Sequence, residues 1–221
     1  MKSILLIGNS GGIGHALQGA LEARGAKVTG LSRRDTGLDL SDEASIEGQL
    51  STLSGPFDAI LVASGALEIN GARPEKALSQ LTQSAFLDQF IVNAAGPALI
   101  LKHAPRLLPK DRPSQFAALS ARVGSIGDNK IGGWYSYRAA KAALNQIIHT
   151  GAIELARTHK QAVCVALHPG TVQTPFTAKY LGRHASVPAA QAALNLLSVL
   201  EGLGPDKTGQ FFDWAGKPVP W

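Results

Sequence analysis

Short apolar runs alternate along this chain with longer stretches whose apolar residues recur every three or four positions. The runs lie at 4–7, 28–31, 59–63, 116–119, 163–167 and 211–212, and the longer stretches include 13–24, 80–108 and 135–158. Short apolar runs are typical of strands covered on both faces, and the longer spacing is typical of helices. Their alternation predicts parallel strands joined by crossover helices. We expect an α/β, Rossmann-type doubly wound sheet of about seven mostly parallel strands, counting a short one near 37–40, with helices on both faces in a three-layer sandwich.

The composition suits one large domain, which we expect to span residues 1–221. Hydrophobic residues make up 45% of the 221, enough for a sizeable core, and no linker rich in Pro, Gly or Ser divides the chain. Charged residues make up only 17%, too few for a disordered tail or a long coiled coil.

Charge and cysteine usage exclude several classes of function. The net charge is +5, but the basic residues are scattered and the longest run is Arg33-Arg34, so we expect no nucleic-acid partner. Cys164 is the only cysteine, which excludes a disulfide framework within one chain. No histidine–carboxylate cluster has metal-ligand spacing, and no stretch reaches the length of a membrane span. We therefore expect a cytoplasmic protein without membrane contact and without a catalytic metal.

A glycine-rich turn follows the first predicted strand and opens the first predicted helix. It reads Gly8-Asn9-Ser10-Gly11-Gly12-Ile13-Gly14. Gly8 permits a tight turn, Gly12 lets the backbone approach a pyrophosphate, and Gly14 allows close packing of helix on sheet. The helix N-terminus offers free N–H groups to the phosphates. A plain glycine-rich connector is the alternative, but the flanking strand and helix favour a dinucleotide site.

The residues after the second predicted strand bear on which dinucleotide binds. An acid at that point would hydrogen-bond the ribose 2′-hydroxyl of NAD. This chain has Ser32-Arg33-Arg34 instead. A guanidinium pairs with a 2′-phosphate, which a carboxylate would repel. Although a solvated basic turn would look the same, the sequence favours NADP(H) over NAD(H) as the cofactor.

Tyr137 and Lys141 lie four residues apart in a predicted long helix, so they share one face. Hydride transfer to a ketone leaves an alkoxide that must be protonated. A tyrosine with its ordinary pKa is a sluggish donor at neutral pH, and a neighbouring ammonium lowers that pKa. We expect Lys141 to act on Tyr137 in this way.

Both segments resemble the short-chain dehydrogenase/reductase family, and the likeness covers nearly the whole chain. The glycine-rich turn is similar to the family's cofactor loop, and Tyr137 with Lys141 to its catalytic pair. The resemblance implies that Asp39 and Leu40 contact adenine. It also implies that Lys141 holds the nicotinamide ribose and that Asn93 positions a water for proton relay.

The resemblance extends to a later segment that would hold the nicotinamide, with Thr174 near its carboxamide. The cofactor-binding residues implied there are Pro169, Gly170, Val172 and Thr174. The loop before Tyr137 looks most like the sniffer-like and C-factor-like carbonyl reductases. The implied activity is NADPH-dependent reduction of a small-molecule carbonyl, or oxidation of the alcohol. The implied assembly is a homodimer or homotetramer that pairs through 80–108 and 135–158.

Two departures from the family pattern bear on the site. The family usually has Asn-Asn-Ala-Gly after the fourth strand, where this chain has Val62-Ala63-Ser64-Gly65. Ala63, Ser64 and Gly65 keep the shape of the turn, and Ser64 is a partial replacement for the missing asparagine. The catalytic serine should lie three residues before Gly124, but that residue is Ala121.

Three possibilities remain for the serine role. Ser120 is adjacent to Ala121, but neighbouring strand residues face opposite ways, so a bulge would have to bring it round. Ser125 is the second candidate, and no serine at all is the third. We take Ser120 as the group that orients the carbonyl. The doubtful serine and the missing asparagine also motivate a competing hypothesis, a nucleotide-binding regulatory protein with little turnover.

Two loops, 121–134 and 173–188, leave the carboxyl ends of predicted strands and should line the ligand crevice. Trp134 either walls the pocket or only packs, and Phe176 and Tyr180 are either lid residues or hydrophobic anchors. His168 reads as structural rather than substrate-binding. The aromatic tail from 213 to 221 is expected to bury itself rather than bind ligand.

Overall fold

The computed structural model describes residues 2–181 and 185–221, so residues 182–184 of the predicted 173–188 loop lie outside the described residues. The strands are β1 (Ser3–Ile7), β2 (Lys27–Leu31), β3 (Ala59–Val62), β4 (Ser114–Leu119), β5 (Ala162–His168), β6 (Thr171–Gln173), β7 (Ser186–Pro188) and β8 (Phe211–Asp213). Six of them form one parallel sheet in the order β2-β1-β3-β4-β5-β8, and the short strands β6 and β7 form a separate parallel pair.

Helices cover both faces of the sheet. They are α1 (Gly12–Glu22), α2 (Arg33–Thr36), α3 (Glu43–Ser51), α4 (Gln83–Phe90), α5 (Gly96–Lys102), α6 (Ala104–Leu107), α7 (Tyr135–Thr158) and α8 (Ala189–Glu201). The core has two parts, one on each side of the sheet: α1 and α8 pack over one face, and α3, α5 and α7 over the other. The three-layer α/β architecture is as the alternating pattern predicts.

Residues 37–40 form no strand, contrary to the expectation, so the main sheet has six strands. Gly37 ends α2 in the left-handed region, with φ 76°. The backbone N–H of Asp39 donates to the Ser45 hydroxyl at 3.0 Å, and the Asp39 carboxylate accepts from Ser41. Side chains thus satisfy polar groups that a strand would pair in a ladder. The three-residue strands β6 and β7 lie at the two ends of the predicted 173–188 loop and are too short to show a periodicity.

One helical stretch, Gln83–Lys102, corrects the expectation that nothing reaches the length of a membrane span. By length and composition it could cross a membrane, with a mean hydropathy of 1.3 in its most apolar window. It runs through α4, a π-helical segment at Ile91–Ala95 and α5, and it packs against α7. Its buried Gln89 and Asn93 hydrogen-bond the loop after β3. A helix that packs in this way needs an apolar face, which accounts for its hydropathy.

Candidate active site

A cleft of about 1000 Å³ opens at the carboxyl ends of the strands. It lies where the strand order reverses, since β1 pairs with β2 on one side and with β3 on the other. Open α/β sheets bind ligands at such a switch point. This volume is at the upper end of the range for small-molecule sites, so the cleft has room for two ligands side by side, one larger than the other.

The glycine-rich turn forms one end of the cleft. Gly8 has φ +85°, and its N–H donates to the Leu31 carbonyl at 2.7 Å. A Cβ at Gly14 would lie 2.0 Å from the Gly8 carbonyl oxygen, so only glycine lets the helix begin so close to the turn. Gly11 precedes α1 without a side-chain cap, which leaves the first N–H groups of the helix for a ligand.

Two predicted cofactor residues of the turn do not line the cleft. The Asn9 side chain lies against Gly30 of β2 and donates to Gln18 at 3.1 Å. Gly14 acts through packing alone. The other residues of the turn do line the cleft: Gly8, Ser10, Gly11, Gly12 and Ile13.

The two arginines after β2 are placed differently. Arg33 lines the cleft, and no hydrogen bond or ion pair of its side chain is found among the described residues. Arg34 lies outside the cleft wall, exposed, with its Nε 2.7 Å from an Asp35 carboxylate oxygen. The structure therefore brings Arg33 and Ser32 to the site and not Arg34. The hydroxyl of Ser32 caps α2 by accepting from the Asp35 N–H.

Beside Arg33, the wall of the cleft is formed by Asp39 and by the turn after β3. Asp39 and Leu40 line the cleft, and hydrogen bonds from Ser41 hold the pKa of the Asp39 carboxyl below its usual value. Ser64 also lines the cleft, and its buried hydroxyl has no partner among the described residues. A buried polar atom without a partner is costly, so this hydroxyl is suited to bind a ligand group. Ala63 and Gly65 complete this wall.

Tyr137 and Lys141 face the cleft from the first turns of α7 and are almost fully buried. The Lys141 ammonium donates to the Leu119 carbonyl at 2.9 Å and lies 5.8 Å from the centre of the Tyr137 ring. Burial raises the pKa of the Tyr137 phenol and lowers the pKa of Lys141 to about 7. Burial therefore opposes the lowering of the phenol pKa that is expected from Lys141, because burial disfavours the charged form of both groups.

Asn93 lies in the π-helical segment and stands behind the cleft rather than in its wall. Its side chain accepts from the Ala66 N–H at 3.1 Å and donates to the Ala66 carbonyl at 2.9 Å and to Gln89 at 2.7 Å. A Cβ at Gly65 would lie 2.9 Å from the Asn93 amide oxygen and 3.5 Å from Lys141 Nζ. Asn93 thus supports the turn that lies directly over Lys141.

Both candidate serines donate their hydroxyl protons within the protein. Ser120 continues the ladder of β4 without a bulge, with its N–H donating to the Leu167 carbonyl, and its hydroxyl donates to the Asn145 amide oxygen at 2.6 Å. Ser125 donates to the Pro220 carbonyl and does not line the cleft. Ser120 does line the cleft, but its only proton is committed to Asn145, while the partly exposed Ala121 stands beside it.

We expect the substitution Ser120→Ala to lower stability and to leave catalysis nearly unchanged. Loss of the hydroxyl leaves the buried Asn145 oxygen without this donor, which costs about 1–3 kcal/mol in the free energy of unfolding. Loss of a group that stabilises the reacting oxygen would instead lower kcat about 100-fold or more. Urea unfolding and steady-state kinetics measure the two effects, and a large fall in kcat at full folding would restore the catalytic role of Ser120.

Sequence reasoning missed Glu75, which caps the helix that carries the phenol. Trp134 precedes α7 in the left-handed region, with φ 54° and no side-chain cap. Glu75 replaces that cap from a distant loop: its carboxylate accepts from the Ser136 N–H at 3.2 Å. The contact spans 61 positions, and no local pattern in the sequence indicates it.

The segment after β5 closes the other end of the cleft. Pro169, Gly170, Val172 and Thr174 all line it, as the resemblance implies. A Cβ at Gly12 would lie 2.6 Å from the Thr174 methyl group, so the glycine-rich turn and this segment almost touch. His168 also lines the cleft, and burial together with the Arg122 charge lowers its pKa to about 4.

The tail from 213 to 221 divides between packing and the site. Trp221 packs on Phe211 and His149 but stays 45% exposed, so it is only partly buried. Trp214 lines the cleft, 48% exposed and against Gly170, so the expectation that the tail buries itself is wrong for this residue. The turn at Asp213, whose carboxylate accepts from the N–H groups of residues 215 and 217, directs Trp214 to the cleft.

Known proteins are similar to this chain in sequence and in fold. A family model described as enoyl-(acyl carrier protein) reductase matches residues 7–199. The C-signal protein of Myxococcus xanthus is 34% identical over 76% of this chain and 95% of its own length. A 1-hydroxy-2-glutathionyl-2-methyl-3-butene dehydrogenase of Rhodococcus sp. (strain AD45) is 28% identical over the whole of both chains.

A solved structure agrees with these relatives. A protein from Burkholderia multivorans, described as a short-chain dehydrogenase/reductase with bound NADP, superposes with a TM-score of 0.83 at 27% identity, covering 100% of this chain and 99% of its own. The family model spans most of the chain, and the C-signal protein exceeds 30% identity over nearly its full length. The chain belongs to the short-chain dehydrogenase/reductase family of oxidoreductases.

Proposed function

We propose that this protein is an NADP(H)-dependent carbonyl reductase that transfers hydride between the cofactor and a small carbonyl or alcohol substrate. The observation that carries the proposal is the placement of Tyr137 and Lys141, buried one helical turn apart, in the same cleft as the glycine-rich turn. An NADPH-oxidation screen over small aldehydes, diketones and quinones tests it. Oxidation of NADPH that depends on one of these compounds supports the proposal.

The residues of the cleft fit a phosphorylated dinucleotide. The uncapped start of α1 suits the pyrophosphate, Arg33 suits a 2′-phosphate, and the unpartnered hydroxyl of Ser64 offers a hydrogen bond on the adenosine side. Pro169–Thr174 would hold the nicotinamide. The bound NADP of the Burkholderia multivorans structure supports the same choice of cofactor. When bound, the cofactor supplies or accepts the hydride.

Tyr137 performs the proton step. Its hydroxyl is protonated at neutral pH, as a donor to a developing alkoxide must be, although burial raises the pKa of the phenol and so makes it a weaker acid. Lys141 is held behind it by the Leu119 carbonyl, and Asn93 holds the turn that carries Gly65 over Lys141. In this proposal no serine orients the carbonyl, because Ala121 stands at that position.

We expect Arg33→Ala to weaken NADPH binding about 10- to 100-fold, the loss of one or two charge-assisted hydrogen bonds, and to leave NADH binding unchanged. Arg34→Ala is the matched control, since Arg34 pairs with Asp35 outside the cleft. Titration followed by cofactor fluorescence measures the dissociation constants of NADPH and NADH. Equal losses for NADPH and NADH, or equal losses in the two variants, would contradict the role of Arg33.

A regulatory nucleotide-binding protein with little turnover is the second candidate function, and Ala121 in place of the family's serine favours it. It differs from the first in one outcome of the screen, tight NADPH binding without oxidation by any carbonyl compound.

A homodimer or homotetramer stays a prediction. The exposed apolar side chains of α4 and its continuation support it: Phe86, Leu87, Phe90 and Ile91.

A further inference from the structure

Two aromatic side chains, Trp134 and Phe176, flank the Tyr137 ring, and a third, Tyr180, packs on Trp134; we call Trp134, Phe176 and Tyr180 the aromatic slot. The ring centres of Trp134 and Phe176 lie 6.2 and 6.4 Å from that of Tyr137, and Trp134 meets Tyr180 at 5.2 Å. The rings are inclined by 57 to 72°, so they meet edge to face or tilted rather than stacked. A substrate whose carbonyl reaches the phenol hydroxyl therefore finds aromatic surface beside it, because Trp134 and Phe176 line the same cleft.

The slot leaves aromatic surface open to the cleft. Phe176 is 41% exposed, and the neighbouring cleft residue Trp214 is also half-exposed. Large rings exposed together along a groove are typical of a binding surface, because a ligand that covers them removes apolar area from water.

Two hydrogen bonds fix the segment that carries Phe176 and Tyr180. The Glu68 carboxylate, in the loop after β3, accepts from the Lys179 ammonium at 2.6 Å and from the Tyr180 hydroxyl at 2.8 Å. The rings on this side of the slot are therefore held in place before a substrate arrives. Preorganised contacts cost less entropy on binding.

The inner wall of the slot carries little free charge. Arg122 pairs with Asp128, and Arg138 donates to the carbonyls of residues 123, 132 and 133. His168 is neutral at pH 7, because its pKa lies near 4. Lys130 stands exposed at the rim, where solvent screens it. Such a wall suits an uncharged substrate.

We propose that the substrate is a neutral aryl aldehyde or aryl ketone whose ring lies in the aromatic slot. Each ring contact of edge-to-face or offset geometry contributes about 0.5–1.5 kcal/mol beyond the apolar area buried, which a saturated ring does not gain. The inference rests on the proposed carbonyl reduction. In that reaction the carbonyl carbon would gain a hydride from bound NADPH and the oxygen would gain the Tyr137 proton, which solvent would then replace, so that the aldehyde becomes an alcohol and NADPH becomes NADP⁺.

Benzaldehyde and cyclohexanecarbaldehyde test the proposal, since both carry a six-membered ring and only one ring is planar. The measured quantity is the ratio of kcat/KM for the two, compared between protein variants so that intrinsic reactivity cancels. We expect Phe176→Leu to lower this ratio roughly three- to tenfold. Phe86→Leu, a similarly exposed phenylalanine on α4 outside the cleft, should leave it unchanged. Equal losses for both aldehydes would overturn the proposal.

Two further measurements separate the substrate class from the reaction. Trp134→Asn removes the slot's second ring with a residue that tolerates the left-handed backbone, and it should lower the same ratio. Calorimetric binding of benzyl alcohol and cyclohexylmethanol to the NADP⁺ complex gives a readout without turnover. Preference for benzyl alcohol that Phe176→Leu abolishes would support the slot even if neither aldehyde is reduced, whereas equal binding of the two alcohols would reject it.

Discussion

The substitution Tyr137→Phe should reduce kcat about 100- to 10,000-fold, the usual contribution of a positioned general acid. The ring remains, so the contacts with Trp134 and Phe176 and the packing of α7 are kept, and only the hydroxyl that carries the proton is lost. The affinity for NADPH should change little, because the cofactor contacts proposed for the glycine-rich turn and Arg33 are untouched.

Tyr135→Phe is the matched control for that experiment. Tyr135 lies on the same helix, is half-buried and does not line the cleft, so its loss of a hydroxyl should leave kcat unchanged. Single-turnover kinetics with NADPH and a reactive aldehyde measure the step directly, and cofactor fluorescence measures binding. If the Tyr137→Phe variant turned over as fast as the Tyr135→Phe variant, Tyr137 would have no part in the mechanism.

The substitution Lys141→Met should change how stability depends on pH. The pKa of Lys141 is about 7 in the folded protein, whereas a lysine exposed to water, as in the unfolded chain, has a pKa of 10.5. Between these values the unfolded chain binds the proton and the folded protein does not, so the free energy of unfolding rises with pH. At 1.36 kcal/mol for each pH unit, this contribution is on the order of 4 kcal/mol from pH 7 to pH 10.

The Lys141→Met variant has no such contribution. As the pH rises, the free energy of unfolding of the unaltered protein should therefore increase relative to that of the variant. Urea unfolding of the cofactor-free proteins at pH 7 and pH 9.5 measures it, and contributions from Cys164 and other groups cancel between them. Lys160→Met, at an exposed position, should show no pH-dependent difference. A constant difference for Lys141→Met would mean that the buried ammonium stays charged throughout.

Features set by local spacing could be predicted from the sequence. The apolar periodicity predicted a helix at 135–158, and the structure has α7 at Tyr135–Thr158. The same local logic located the glycine-rich turn and the spacing of Tyr137 and Lys141. It was less successful at 37–40, where hydrogen bonds with Ser41 and Ser45 replace the expected strand.

Features that depend on contacts between distant segments could not be predicted. The partner of Ser120 is Asn145, and the cap of α7 is Glu75; in each pair the two residues belong to different elements. Trp214 enters the cleft because of a turn after β8. No periodicity encodes such contacts, since they depend on how the elements pack.

By itself, therefore, the sequence determined the α/β class, the glycine-rich turn and the Tyr–Lys pair, because each of these depends on residues within one or two helical turns or at one strand end. Only the tertiary structure decided which groups are free to act. It committed the Ser120 hydroxyl to Asn145, paired Arg34 while leaving Arg33 in the cleft wall, and brought Trp134 and Phe176 against the Tyr137 ring. The physical reason is that hydrogen bonding and burial of a side chain depend on neighbours that folding brings from far along the chain.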